Sequence, residues 1–351
     1  MAAMPGEQKA KGLSLQFPIE HPPLSGQTTA VAPGVLWLRM PLPFALNHIN
    51  LWLISDGATW SLVDTGIPDQ ATRTLWEEVF TGPLEGRPLG RLLVTHFHPD
   101  HMGLAHWLEE RFGLTVETTM AEWLFGRMLS LDASAAFVEA SRRFYQGAGF
   151  GPDLLDLVTE RGNAYGRRIR HIPTRFRRLR DGDQVTVGGH PWTVVVGEGH
   201  SAEMACFWCP ERNLLISGDQ ILPSISPNVS VWPSEPDADP LRLFLGSLQR
   251  FRALPEDCLV LPSHGRPFIG LHDRIDALAT HHRDRLDETL AACGGSITAF
   301  DLQAMMFRRK LDNHQLFFAI GESLAHLHYL VGQGLVARET GVDGVHRFRR
   351  T

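Results

Sequence analysis

The chain has 351 residues, 43% of them hydrophobic and 21% charged, and a net charge of −6. That length suits two domains of roughly 100–200 residues each, and the acidic balance argues against a dedicated nucleic-acid binder, which carries a basic face. Lys9, Lys11 and Lys310 are the only lysines, so the basic chemistry is almost all arginine. Four cysteines cannot frame a chain this long with disulfides. Met1 to Gln16 holds no apolar signal segment, and no run approaches the ~20 apolar residues of a membrane span, so a cytoplasmic protein is expected.

Residues 1–29 read as an N-terminal arm. From 30 to about 65, short β-rich runs alternate with turns: Val35 to Leu38, Ile49 to Ile54 and Trp60 to Val63, with Asp56-Gly57 as a hairpin turn. A helix over 69–80, a strand over 91–95 and a helix over 103–112 follow. Residues 120–170 break this pattern with helical periodicity, as in Trp123, Leu124, Met128 and Leu131, and read as an insert. Strands resume at 184–187, 192–196, 204–208, 214–216 and 258–261, with a helix at about 240–253. Cys206 and Cys209 share one strand at an offset of three, which aims them to opposite faces. Residues 30–270 thus form one domain. Beyond it, helices at 272–292, 298–309 and 314–333 and a hairpin turned by Asp343-Gly344 make 271–351 a winged-helix pattern.

Four coordinating side chains fall within six residues, His96, His98, Asp100 and His101, directly after a strand. Histidine nitrogen and carboxylate oxygen suit zinc, but one such cluster cannot surround two metals. His200, Asp219 and His264 each follow the end of another predicted strand, so all the groups leave one rim of a layered sheet. His-x-His-x-Asp-His, Gly199-His200, Ser217-Gly218-Asp219 and Ser263-His264-Gly265, with Asp64-Thr65-Gly66 upstream, resemble the metallo-β-lactamase superfamily over roughly residues 30–270. The resemblance implies an αββα sandwich with metals at one edge. It implies two Zn2+ ions (with Fe or Mn as alternatives), one on His96, His98 and His200 and the other on Asp100, His101 and His264, bridged by Asp219. It further implies that a metal-bridging hydroxide attacks the substrate, that Asp100 carries the proton to the leaving group, and that Asp64 orients a ligand histidine.

Substrate contacts are less well marked. His48 and Asn50 lie on a strand beside the site and read equally as substrate contacts or half-buried strand polars. Tyr145 and Tyr165 could donate to a carbonyl oxygen, and the loop 226–233 with Trp232 is a second wall. Trp123, Phe125, Met128, Phe137, Phe144 and Phe150 would roof an apolar pocket or pack the insert onto the sandwich. The arginine run from Arg161 to Arg180 could hold a phosphate-bearing group or form a solvated face. A lactamase-like domain followed by a winged helix is similar to a branch that includes glyoxalase II and endoribonucleases acting on single-stranded RNA. The helix 314–333 has no lysine or arginine, however, and nucleic-acid-reading helices need cations. The expected activity is therefore hydrolysis of a small-molecule ester or thioester (acyl-CoA, glutathione thioester or lactone), with a metal-dependent endoribonuclease as the alternative. No membrane partner is expected, nucleic acid is disfavoured, and a homo-oligomer is compatible with an apolar C-terminal helix.

Overall fold

The computed structural model describes residues 15–307 and 310–351. Seven strands form the first sheet in chain order: β1 (Thr28–Ala32), β2 (Val35–Pro41), β3 (His48–Asp56), β4 (Thr59–Val63), β5 (Leu89–Leu93), β6 (Val116–Thr119) and β7 (Phe176–Leu179). It is antiparallel from β1 to β4 and parallel from β4 to β7. The second sheet contains β8 (Gln184–Val187), β9 (His190–Gly197), β10 (Met204–Cys209), β11 (Leu214–Gly218) and β12 (Leu259–Pro262), ordered β12-β11-β10-β9-β8.

Period-2 alternation decides which side chains enter which layer. On β3, Trp52 and Ile54 face the second sheet and pack with Phe207, Ile216 and Leu261, whereas Leu51 and Leu53 face outward. That outer face is covered by α1 (Gln70–Thr81) and, after the one-turn α2 (Pro99–Met102), by α3 (Ala105–Phe112), through Trp76, Val79 and Leu108. Burial on both faces explains why β3 reads as a continuous apolar run. Cys206 and Cys209 do face opposite layers, both unpaired.

Between β6 and β7 the insert forms α4 (Met120–Leu131), α5 (Ala135–Gly147), α6 (Pro152–Arg161) and α7 (Ala164–Arg168). The second sheet is covered by α8 (Pro240–Phe251) and α9 (Leu271–Ala292), which precede α10 (Ala299–Met306), α11 (Asn313–Gly332) and the hairpin β13 (Val336–Thr340)–β14 (His346–Arg350). One apolar cluster joins Phe244 and Leu248 of α8, Ile275 of α9, Phe317, Ile320 and Leu324 of α11, and Tyr145 and Phe150 of the insert. The C-terminal elements thus share a core with the outer layer of the sandwich. The helix expected over 298–309 ends at Met306, and Arg308 and Arg309 lie outside the described residues. Three strands escape the sequence pattern. β1 is short and mostly half-buried, β6 is a buried Val-Glu-Thr-Thr, and β7 hides behind exposed arginines.

Candidate metal centre

Five strand ends converge on one rim. Asp64 follows β4, His96 to His101 follow β5, His200 follows β9, Asp219 follows β11 and His264 follows β12. Pro99 opens α2 at a first-turn position, so the chain turns into a helix between His98 and Asp100 and sends those side chains apart. Gly199 lets the His200 loop press onto α8: its φ is +96°, and a Cβ there would lie 2.5 Å from Phe244 Cβ and from the Pro240 carbonyl oxygen.

The converging atoms form two outer triads, His96–His98–His200 and Asp100–His101–His264, joined by a third group of His96, His101 and Asp219. His98 Nδ1 lies 2.9 Å from His96 Nε2 and 3.1 Å from His200 Nε2, and Asp219 Oδ2 is 3.4 Å from His200 Nε2. On the other side, Asp100 Oδ2 is 3.7 Å from His101 Nε2 and 3.5 Å from His264 Nε2, while Asp219 Oδ1 is 3.6 and 3.3 Å from the same two nitrogens. His101 Nε2 and Asp219 Oδ1 are buried without a hydrogen-bond partner. Orphaned polar atoms of this kind cost about 1–3 kcal/mol each. A cation at the Asp100, His101 and His264 triad would satisfy both, and the donor set of each triad fits a divalent metal.

The outer edges of the rings are fixed from behind, as ligating histidines require. His101 donates its Nδ1–H to Asp64 Oδ2 at 2.8 Å, His200 to the Asn228 carbonyl at 2.7 Å, and His264 to the His48 carbonyl at 2.8 Å. Thr95 Oγ1 lies 3.0 Å from His96 Nδ1 and donates to Asp64 Oδ2 at 2.8 Å. Burial, reinforced by neighbouring imidazoles, holds His96 and His98 well below the usual histidine range, leaving both neutral. Burial alone would lower His101 too, but Asp100, Asp64 and Asp219 outweigh it and raise it well above that range. Burial would raise Asp219, yet His264 and His101 hold it well below the usual carboxylate range.

The remaining sequence-derived residues divide. Asp64 stands behind His101. Asn50 donates to the Pro262 and Gly265 carbonyls at 2.8 and 3.0 Å, and His48 Nε2 accepts from Gly265 N–H at 3.0 Å. Both therefore hold the His264 loop rather than reaching out to substrate. Tyr165 is likewise committed, since its hydroxyl donates to the Phe97 carbonyl at 2.7 Å. Tyr145 is buried, stacked on Phe150 and edge-on to Phe317, which makes it largely a core residue. Trp232 is half-buried and meets Phe318 of α11. Of the two readings of the insert, packing onto the rest of the fold accounts for most of its large apolar side chains: Trp123 stacks on Phe176 and Phe150 joins the core, while Met128 points outward. Phe125 approaches the ligand loop, stacking on Phe97 at 5.8 Å.

Sequence reasoning missed Glu122. It is fully buried on α4 and accepts from Phe97 N–H at 3.0 Å and Glu203 N–H at 2.7 Å, tying together the loops that carry His96, His98 and His200. Its one signal was an acid on the inward side of an otherwise apolar helix.

A family model described as the metallo-beta-lactamase superfamily matches residues 46–264, and one described as the metallo-beta-lactamase-like C-terminal domain matches residues 286–351. The chain belongs to the metallo-β-lactamase superfamily and is a metal-dependent hydrolase. A beta-lactamase domain protein from Burkholderia ambifaria is 44% identical, with a TM-score of 0.89 over 96% of this chain and 98% of its own. A probable metallo-hydrolase of Bacillus subtilis is 23% identical over 84% of this chain and 92% of its own length. The acyl-coenzyme A thioesterase MBLAC2 of Gallus gallus is 28% identical over 54% of this chain and 63% of its own. The atrochrysone carboxyl ACP thioesterase of Aspergillus fumigatus is 25% identical over 77% of this chain, which spans only 53% of that relative. Among the described residues no helix is long and apolar enough to cross a membrane.

Proposed function

We propose that the protein is a dinuclear zinc thioesterase acting on acyl groups carried by a phosphopantetheine thiol. The observation that carries the metal assignment is the pair of ligand triads with an Asp219 oxygen facing each. Two relatives named as thioesterases, one for acyl-coenzyme A and one for an acyl carrier protein, support the substrate class.

His96, His98 and His200 would hold one ion and Asp100, His101 and His264 the other, with one Asp219 oxygen toward each. Bound metals of this kind lower the pKa of a water from 15.7 to about 7 and polarise a carbonyl oxygen. Asp64, Asn228 and His48 keep the imidazoles oriented by accepting their outer N–H groups. Asp100 is the most open carboxylate of the cluster, 18% exposed against 9% for Asp219, and is placed to hold the proton that the leaving thiolate takes up. No serine or cysteine nucleophile is required.

An endoribonuclease gains no support from α11, whose side chains from Phe317 to Leu330 are largely buried and include no lysine or arginine. Elemental analysis of metal-loaded protein should return close to two ions per chain, and a panel of acyl thioesters, lactones and single-stranded RNA should show turnover of thioesters. Asp219→Ala should abolish turnover and lower the metal content. At most one ion after reloading, or cleavage of RNA with no thioester turnover, would refute the assignment.

A further inference from the structure

Two arginines of the basic run are set apart by their aromatic contacts. Arg177 pairs with Glu117 at 3.3 Å. Arg161, ending α6, and Arg168, ending α7, have no carboxylate partner among the described residues, and each guanidinium lies instead over an aromatic ring. Arg161 Cζ is 4.1 Å from the centre of Phe317, and Arg168 Cζ is 4.8 Å from that of Phe44. His314, in the first turn of α11, stacks on Phe44 at 5.7 Å and leans on Phe318 at 4.9 Å. Trp232 meets Phe318 at 5.6 Å. The neighbouring acid Asp312 accepts the N–H of Gln315 as the cap of α11.

Three segments thus meet at one cationic, aromatic patch: the helical insert, the turn before His48, and the start of α11. Two of its contacts lead to the candidate metal ligands. The turn carrying Phe44 continues into His48, whose carbonyl holds His264, and Trp232 lies four residues beyond Asn228, whose carbonyl holds His200. Burial draws Arg161 below its ordinary value, the Tyr145 phenol opposes this, and the charges of Arg167 and Arg168 lower it further, with no carboxylate opposing. Arg161 is half-buried without a counter-ion, which is unfavourable, and Arg168 is exposed beside it; a guanidinium seated on a ring has its N–H edge oriented for a forked contact with phosphate oxygens.

We infer that Arg161 and Arg168, with His314 beside them, bind the phosphate groups of the thioester's carrier, either the nucleotide end of coenzyme A or the phosphodiester of a carrier-protein arm. This rests on the thioesterase reading but is tested by binding alone. The metal-loaded full chain is titrated calorimetrically with desulfo-coenzyme A, 4′-phosphopantetheine, 3′,5′-ADP and pantetheine. Wild type should bind desulfo-coenzyme A about 10- to 100-fold more tightly than pantetheine, the scale of one or two charge-assisted hydrogen bonds. Arg161→Ala/Arg168→Ala should erase that preference, whereas Arg178→Ala, on exposed β7, should keep it.

Competition by 3′,5′-ADP identifies the nucleotide as the contact; competition by 4′-phosphopantetheine alone supports the clamp with the carrier-protein arm as source. Equal binding of desulfo-coenzyme A and pantetheine by wild type, or an undiminished preference in the double variant, would overturn the assignment. Arg161→Lys, which retains charge without the fork, should recover part of the preference and so separates recognition from misfolding. Hydrolysis of acyl thioesters is assayed on the same samples. Clamp binding without hydrolysis removes the thioesterase reading and leaves the phosphate site. Hydrolysis with phosphate-indifferent binding removes the site and leaves the reading.

Discussion

At Asp64 the backbone and the side chain make compatible demands. The residue has a φ of +63°, a conformation that aspartate and asparagine tolerate better than other side chains. Its Oδ1 accepts the Thr95 N–H at 2.8 Å while Oδ2 accepts from His101. Asp64→Asn should therefore keep the fold, but its amide cannot accept on both sides, and metal affinity should fall about 10- to 100-fold. Asp64→Ala should add backbone strain of about 1–2 kcal/mol. Competition with a chromophoric chelator measures the affinities, and an Asp64→Asn protein matching wild type would remove Asp64 from its orienting role. The ligand residues were legible because each carries its own short motif at a strand end. The carbonyls of Asn228 and His48 were not, because a backbone acceptor leaves no trace in residue type. Tyr145 and Tyr165 were singled out by side-chain chemistry alone, and packing decides where such hydroxyls point.

Among the elements, α4 does for one triad what no single strand could. Glu122 accepts the N–H of Phe97, Tyr165 of α7 donates to the Phe97 carbonyl, and the peptide between His96 and His98 is thereby gripped on both sides from the insert. Glu122→Ala would orphan two buried N–H groups at about 1–3 kcal/mol each, and a metal ion held at the three-histidine triad should be lost first. Cobalt substitution followed by absorption spectroscopy can report that site. Two full-affinity ions in the alanine variant would show that the grip is dispensable. Burial also pushes the Glu122 carboxyl up to about 7 from 4.5, despite its N–H donors. The native state then binds the proton more tightly than the unfolded chain, so this contribution is complete below about pH 4.5 and is lost as pH rises through about 7. Metal-free wild type should lose stability relative to Glu122→Gln across that interval, and parallel denaturation curves would contradict it. The insert's helices were readable from their periodicity. Its attachment was not, since an apolar face says that a helix packs without saying on what.

For the molecule as a whole, the C-terminal elements and the metal rim form one mechanical unit. Val231 N–H donates to the Gly321 carbonyl at 3.1 Å and Ser230 Oγ to that of Phe318 at 3.3 Å, so α11 grips the loop that begins at Asn228 and holds His200. Gly321 permits the approach, because a Cβ there would lie 2.7 Å from Ser230 Cβ and 3.0 Å from the Val231 carbonyl oxygen. Removing residues 271–351 would leave every metal ligand in the chain but would strip Phe317, Ile320, Leu324 and Leu327 from the core they share with Phe244 and Leu248. Each such side chain contributes about 1.5–3 kcal/mol by burial, so the combined loss is comparable to the roughly 5–15 kcal/mol that typically holds a protein folded. The truncated chain should be insoluble, or soluble only as a loosely packed state with reduced metal content. Gly321→Val in the full-length chain is the milder test. It should displace the 228–232 loop, weaken metal binding at His98 and His200, and leave the Asp100, His101 and His264 triad close to wild type. A soluble 1–270 fragment with two metals and full turnover would show instead that the C-terminal region is an independent appendage, and a Gly321→Val protein with unaltered metal binding would cut the proposed link between α11 and His200.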